Sequence, residues 1–90
     1  MIFVTAVRLT TYGSGHEHIA AVRWRNPDTG GTGSSTRETV VNWINDGGVA
    51  RVTDGYRTVT VGVVEQAYPP YLRTYADGVW TDNLLALPRY

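Results

Sequence analysis

The 90-residue sequence contains no cysteine and no lysine. Without cysteine the chain cannot form disulfides, cysteine–zinc sites or a catalytic thiolate. Without lysine it can use neither Schiff-base catalysis nor the lysine of a P-loop. The eight basic residues are all arginines, a bias typical of a GC-rich coding genome, so we expect a bacterial or phage origin.

Long apolar runs are also missing. No stretch reaches the roughly 18 apolar residues that a transmembrane helix needs. The first ten residues, MIFVTAVRLT, lack the basic segment of a signal peptide and become strand-like at once. We therefore expect a cytoplasmic protein without a membrane segment.

The sequence has no net charge, because eight arginines balance eight acidic residues. No global field attracts the chain to nucleic acid or to a membrane surface. The acidic residues are also numerous enough to pair with every arginine. Charge can still matter locally, if arginines converge on one surface that acidic residues leave uncovered.

Catalytic patterns are absent. No Ser-His-Asp order, catalytic carboxylate pair or Gly-x-Ser-x-Gly elbow can be assembled, so we expect a protein that is not an enzyme. His16-Glu17-His18 forms the only histidine cluster. On a strand, His16 and His18 could hold two corners of a metal site, but two histidines beside a turn are more often polar loop residues. We predict no metal or other cofactor.

Hydrophobic periodicity predicts a small α+β domain. Runs that are apolar at alternate positions or on both faces indicate strands at 2–9, 18–25 and 71–75, of which the first two should form a hairpin. A second hairpin is predicted within 49–66, where a two-residue loop at Asp54-Gly55 would pair Ala50 with Val59 and Val52 with Arg57. This register places Ala50, Val52, Val59, Val61 and Val63 on one face. One helix is expected at about 36–46, with Ser35 as its cap and Val40, Trp43 and Ile44 facing the core. The predicted fold is one domain, 1–90, with an antiparallel sheet in the order ββαβββ, one helix on one face and a short C-terminal helical turn at 83–86.

The segment NPDTGGTGSS, residues 26–35, has no periodicity and is rich in Gly, Ser and Thr. This composition predicts an exposed, flexible loop. Because Gly30–Ser35 runs into the predicted helix, its backbone amides could instead cradle an anion. The flexible connection is the favoured interpretation.

Arginines and aromatic residues on two predicted strands suggest a nucleic-acid surface. Arg23 and Arg25 share one strand face around Trp24, and Arg51 and Arg57 lie on the later hairpin. Such residues could grip phosphates and stack on bases. Arginine stems also commonly cover apolar surface, which is the structural alternative.

The last twenty residues contain Arg73 and Trp80, the two residues there that packing does not fully explain. Trp80 follows the Asp77-Gly78 turn, where an amphipathic ring can anchor a partner, although packing under the last turn is an alternative. Arg73 could grip an anion or pair with Asp77. Asp82 could cap the last turn, so that the following leucines close the core.

This ending resembles that of a family of short bacterial and phage proteins that is catalogued as a domain of unknown function. The resemblance rests on YLRT-x-x-DG at 71–78 and DNLL-x-LP at 82–88, which match the family's ending YIRT-x-x-D…DNLL-x-LP. It covers residues 36–88 well and the N-terminal strands loosely. The family implies one compact domain and brings no activity, ligand or catalytic residue.

Two functions follow as hypotheses. The first is a small, non-enzymatic interaction domain that binds a protein partner, or a second copy of itself, through Trp80 and Arg73. The alternative is a nucleic-acid-binding protein that uses Arg23, Trp24, Arg25, Arg51 and Arg57. The position of these arginines relative to one another, and to the acidic residues, discriminates between the two.

Overall fold

Seven strands form one mixed sheet with a single α-helix on one side, in a computed structural model that describes residues 1–90. The strands lie in the order β3-β2-β1-β4-β5-β6-β7. A 3₁₀-helix at His16–His18 precedes β2. The elements are β1 Ile2–Leu9, β2 Ile19–Arg25, β3 Thr32–Thr36, α1 Arg37–Asn45, β4 Ala50–Thr53, β5 Thr58–Val64, β6 Tyr71–Ala76 and β7 Val79–Thr81.

The broad α+β prediction is confirmed, but the order ββαβββ and the purely antiparallel sheet are wrong. β1 and β4 pair in parallel through Ile2–Ala50 and Phe3–Arg51. Parallel neighbours need a long crossover, and α1 supplies it by returning the chain from β3, at one sheet edge, to β4 in the middle. The observed order is βββαββββ, because a strand precedes the helix and another follows β6.

A bulge in β1 changes which residues enter the core. The alternation predicts that Phe3, Val7 and Leu9 share a face, but the register with β2 shifts between Val4 and Ala6. One extra residue reverses the alternation beyond that point. Val4 and Val7 are therefore both buried in the core, and Phe3 lies on the other face.

The predicted helix exists, but its cap and its packing differ. Thr36 is the N-cap, and its hydroxyl accepts a hydrogen bond from the backbone N–H of Thr39. Val40 and Val41 are the buried helix residues. Trp43, predicted for the core, is 37% exposed. We call the sheet face that carries α1 the core face and the opposite one the open face.

The predicted loop at 26–35 is shorter than expected, because residues 32–36 form β3. All five residues of β3 pair with β2 in a regular antiparallel register. A strand of Thr, Gly and Ser lacks the β-branched apolar residues that mark strands in a sequence. Ser35 therefore belongs to a strand, and no glycine-rich loop runs into α1.

The β4–β5 hairpin is present with a longer loop than predicted. Val52 pairs with Val59, and Thr53 with Thr58, so four residues rather than two form the loop. The carboxylate of Asp54 accepts hydrogen bonds from two backbone N–H groups in this loop, which lower the pKa of Asp54. Because the register differs from the predicted one by two residues, every side chain keeps its predicted face.

Residues 82–90 close the core face. Leu84 is fully buried in a turn at 82–87, and the following residues pair with β1 through the backbone N–H groups of Val7 and Tyr90. Neither helix has the length and apolar character that crossing a membrane requires. The core cluster consists of Val4, Val7, Ile19, Val22, Val40, Val41, Ala50, Val52, Val61, Leu72 and Leu84.

Candidate functional site

One row of aligned residues crosses the open face on all seven strands. Each member is the register partner of the next, so all of their side chains point to the same side of the sheet. Six of the seven are exposed and Phe3 is half-buried. We call these residues the cross-sheet row: Thr32, Arg25, Phe3, Arg51, Thr60, Tyr75 and Trp80.

Charge is segregated between the sheet and the rest of the chain. The strands hold five arginines and no acidic residue, whereas the remaining residues hold three arginines and all eight acidic residues. The formal charge is therefore +5 in the strands and −5 outside them. By register all five strand arginines belong to the open face: Arg8, Arg23, Arg25, Arg51 and Arg73.

Most of these arginines have no acidic partner. The expectation that acidic residues would pair with them holds only for Arg73, which contacts Asp82 at 2.8 Å. The guanidinium of Arg25 lies 5.1 Å from the ring centroid of Phe3. Arg51 makes neither an ion pair nor a side-chain hydrogen bond, so its guanidinium donors are available to a ligand.

Tyr90 orients two further arginines on this face. The guanidinium carbons of Arg8 and Arg23 lie 4.6 and 4.2 Å from its ring centroid. The Tyr90 hydroxyl is 2.9 Å from Oγ of Ser34, on the neighbouring strand β3. Nε of Arg8 also donates to the backbone carbonyl of Tyr90 at 3.4 Å. Stacking on an aromatic ring holds a guanidinium in place and leaves its terminal Nη donors free for an anion.

The other end of the row is aromatic. Tyr75 and Trp80 meet edge to face, with ring centroids 5.3 Å apart. The Trp80 ring crosses β6 and lies over Gly62, where an added Cβ would be 3.1 Å from it. Both residues remain exposed, Tyr75 by 44% and Trp80 by 36%. The sheet thus presents aromatic rings in a fixed orientation beside the basic half of the open face.

The structure brings together some of the predicted site residues and separates others. Arg23, Arg25 and Arg51 lie on the open face, and Trp80 belongs to the same row as Arg51. Trp24 points to the core face, where its indole N–H donates to Ser35, so it does not join the arginines.

Arg57 lies at the rim of the open face rather than on it. It lines a depression of about 540 Å³ together with Tyr75 and Asp77. Tyr75 is not among the predicted site residues, although its position two residues after Arg73 on one strand indicates the same face.

A separate polar cluster surrounds His16, for which the sequence predicts a polar loop residue, with a metal ligand as the alternative. Arg73 donates from Nη2 to Oδ1 of Asp82 and from Nε to the carbonyl of Thr81. His16 is 8% exposed, and its buried Nε2 has no hydrogen-bond partner, although Oδ1 of Asp82 is 3.8 Å away. The Asp82 carboxylate therefore binds Arg73 instead of capping the last turn.

Burial lowers the pKa of His16 below its ordinary value, and the nearby Arg73 guanidinium lowers it further. The carboxylates of Asp82 and Glu17 act in the opposite direction but do not cancel the effect. The neutral imidazole is thus the form that the folded protein favours.

Acidification should destabilise the fold through His16. Its pKa is lower in the folded than in the unfolded state, so the unfolded chain binds more protons once the pH falls below about 6.5. The contribution of His16 to the free energy of unfolding is fully present above that pH and is lost as the pH falls toward the folded-state pKa. Urea denaturation between about pH 7.5 and 5.5 measures it, with His16→Gln as the comparison.

The wild-type protein should lose more stability over this range than His16→Gln. Equal losses would contradict the prediction, since the two proteins differ in no side chain other than that of residue 16. Arg73→Gln supplies a second check, because removing the guanidinium should raise the pKa of His16, as followed by NMR of its ring proton.

His16 and His18 do not form a metal site together. Nδ1 of His18 accepts hydrogen bonds from the backbone N–H groups of Ser14 and Gly15, both at 3.1 Å. The imidazole of His18 is therefore bonded to the loop backbone, whereas that of His16 is buried near Asp82. No group of three or more His, Cys, Asp and Glu side chains lies in a position to hold a metal ion.

Comparison with known proteins identifies a family. The family model described as "Protein of unknown function (DUF3892)" matches residues 3–88, which is nearly the whole chain, and the chain belongs to this family. The match includes the N-terminal strands, where the sequence resemblance is loose. No curated protein and no solved structure is significantly similar to the chain.

Proposed function

We propose that this member of the DUF3892 family binds single-stranded nucleic acid across the open face of its sheet. Phosphates would contact Arg8, Arg23, Arg25 and Arg51, and bases would stack on Tyr75 and Trp80. The observation that carries the proposal is the cross-sheet row, which joins basic and aromatic side chains in one line.

The basic half of the open face supplies the electrostatic contribution. Four arginines without an acidic partner lie on adjacent strands β2, β1 and β4, and none of the strands contributes an acidic side chain. The zero net charge does not oppose binding here, because salt screens charges beyond about 10 Å and the local potential governs contact. Guanidinium groups can also form two parallel hydrogen bonds to a phosphate.

The aromatic half favours a single strand over a duplex. Bases can stack on Tyr75 and Trp80 only if they are unpaired and turned outward, which a duplex does not allow. Neighbouring strands are about 4.8 Å apart, so the row from Arg25 to Trp80 spans about 24 Å. This length suits on the order of four nucleotides, at the small end of the range for single β-sheet domains.

Fluorescence anisotropy with a labelled single-stranded oligonucleotide of about 12 nucleotides tests the proposal. Affinity should fall as salt rises from about 50 to 200 mM, with a log–log slope of about −2 to −3 for three or four phosphate contacts. A duplex of the same sequence should bind more weakly. Absence of binding even at the lower salt concentration would refute the proposal, and a preference for the duplex would refute the stacking role.

A protein partner is the second candidate, and exposure at the sheet edge favours it. Val79 on edge strand β7 is 62% exposed beside Trp80. An exposed edge strand with apolar residues is a common place for another chain to bind. This function would require that binding of the partner depend on Val79 and not on the arginines of β1 and β2.

A further inference from the structure

A cavity of about 330 Å³ lies between α1 and the core face of β2 and β3. It is on the opposite side of the sheet from the cross-sheet row. Trp24 and Trp43 provide aromatic surface, and Ile2 and Val40 provide aliphatic surface. The volume is at the lower end of the range of small-molecule sites, so it suits a compact ligand.

Two glycines hold the tryptophan rings against the backbone. A Cβ added to Gly48 would lie 2.2 Å from the Trp43 ring, and one added to Gly33 would lie 2.5 Å from the Trp24 ring. The indole N–H of Trp24 also donates to Oγ of Ser35 at 3.0 Å. Both aromatic surfaces are therefore positioned before any ligand binds, which reduces the entropic cost of binding.

The polar groups of the cavity are hydrogen-bond donors without charge. Oγ1 of Thr39 accepts from Thr36, so the proton of the Thr39 hydroxyl is free to donate. The Ser35 hydroxyl likewise accepts from Trp24 and keeps its own proton. The side-chain carbonyl of Asn26 accepts from the backbone N–H of Asp28, which leaves its amide group as a donor. A ligand must offer acceptors in return.

We propose that this cavity binds an uncharged, planar heteroaromatic molecule of about two fused rings, with ring-nitrogen or carbonyl acceptors. The indole rings select an aromatic plane, the free donors select acceptors, and the absence of charged side chains from the lining disfavours an ion. The site does not depend on the open face, because it lies on the other side of the sheet.

Titration of the full chain with quinoxaline, a neutral bicycle with two ring nitrogens, tests the proposal by NMR. The indole N–H signals of Trp24 and Trp43 should shift, and that of Trp80 should not. Small ligands in such sites reach about 1 mM or tighter, so saturation should lie in that range. Unchanged signals for Trp24 and Trp43, or an equal shift of Trp80, would overturn the proposal.

Two variants make the test specific. Gly48→Ala displaces the Trp43 ring, and Thr39→Val removes a donor at nearly constant shape, so each should weaken quinoxaline binding about fivefold or more. Gly62→Ala is the matched control, since it adds the same methyl beside Trp80 on the open face. It should leave quinoxaline binding unchanged. Loss of binding in Gly62→Ala, or undiminished binding in both cavity variants, would overturn the assignment of the site.

Discussion

Leu84→Ala is expected to lower the free energy of unfolding by about 2–5 kcal/mol. Leu84 is fully buried in the core cluster, and truncation would lose its transfer energy and leave a cavity. The free energy of unfolding of a domain of this size is about 5–13 kcal/mol, so the loss is a large fraction of its stability. The melting temperature should fall by about 10 °C or more, as measured by circular dichroism.

Leu84 is the only fully buried side chain of residues 82–87, because Leu85 and Leu87 are only half-buried. Within this turn the backbone forms only the bonds from Ala86 to Asp82 and from Leu87 to Leu84. Burial of Leu84 therefore anchors residues 82–87, and this anchoring positions Asp82 beside Arg73. Leu87→Ala is the matched control: Leu87 is half-buried, and its loss should cost about 1–2 kcal/mol. Equal effects of the two substitutions would contradict the anchoring role.

Local features of the chain could be predicted from the sequence where a residue's neighbours in the chain determine them. The helix, the β1–β2 hairpin and the faces of Ala50, Val52 and Val59 follow from periodicity and turn residues. The charge segregation also has a sequence signal, because each arginine-containing predicted strand can be checked for acidic residues. Summing charge over the whole chain conceals that signal.

Features that depend on contacts between distant segments could not be predicted. The cross-sheet row requires β1 beside β4, and only Ile2 and Phe3 of β1 take part in that parallel pairing. β3 forms because its backbone completes the hydrogen bonding of β2, and its polar side chains carry no such information. The bulge in β1 likewise reverses an alternation that looks regular in the sequence. The position of Trp80 in line with Arg51 follows from these long-range pairings.

The same long-range strand pairings place residues of both functional hypotheses on one surface. Trp80 belongs to the partner-binding hypothesis and Arg51 to the nucleic-acid hypothesis, and the register joins them through Thr60 and Tyr75. Arg73, by contrast, is engaged with Asp82 and Thr81, so its guanidinium contributes to the fold. A variant that changes the central arginines therefore tests the combined surface most directly.

Arg25→Gln combined with Arg51→Gln is expected to weaken binding of a single-stranded oligonucleotide about tenfold or more at low salt. Glutamine keeps much of the side-chain length, so the loss reports charge rather than shape. Removing two phosphate contacts should also reduce the salt slope by about 1.4, since each contact to a single strand contributes about 0.7. Anisotropy titrations at several salt concentrations measure both quantities. Trp80→Ala should weaken binding without changing the slope, because stacking releases no counterions.

The matched control is Asn42→Asp combined with Gln66→Glu. Both residues are exposed and lie outside the strands, and this pair changes the net charge by the same two units as the arginine variant. If the field of the whole molecule governed binding, the two double variants would weaken it equally. The segregation of charge predicts instead that the control binds nearly as well as the wild type. Equal weakening would show that the arginines act through net charge alone, and the cross-sheet row would then lose its role as the binding surface.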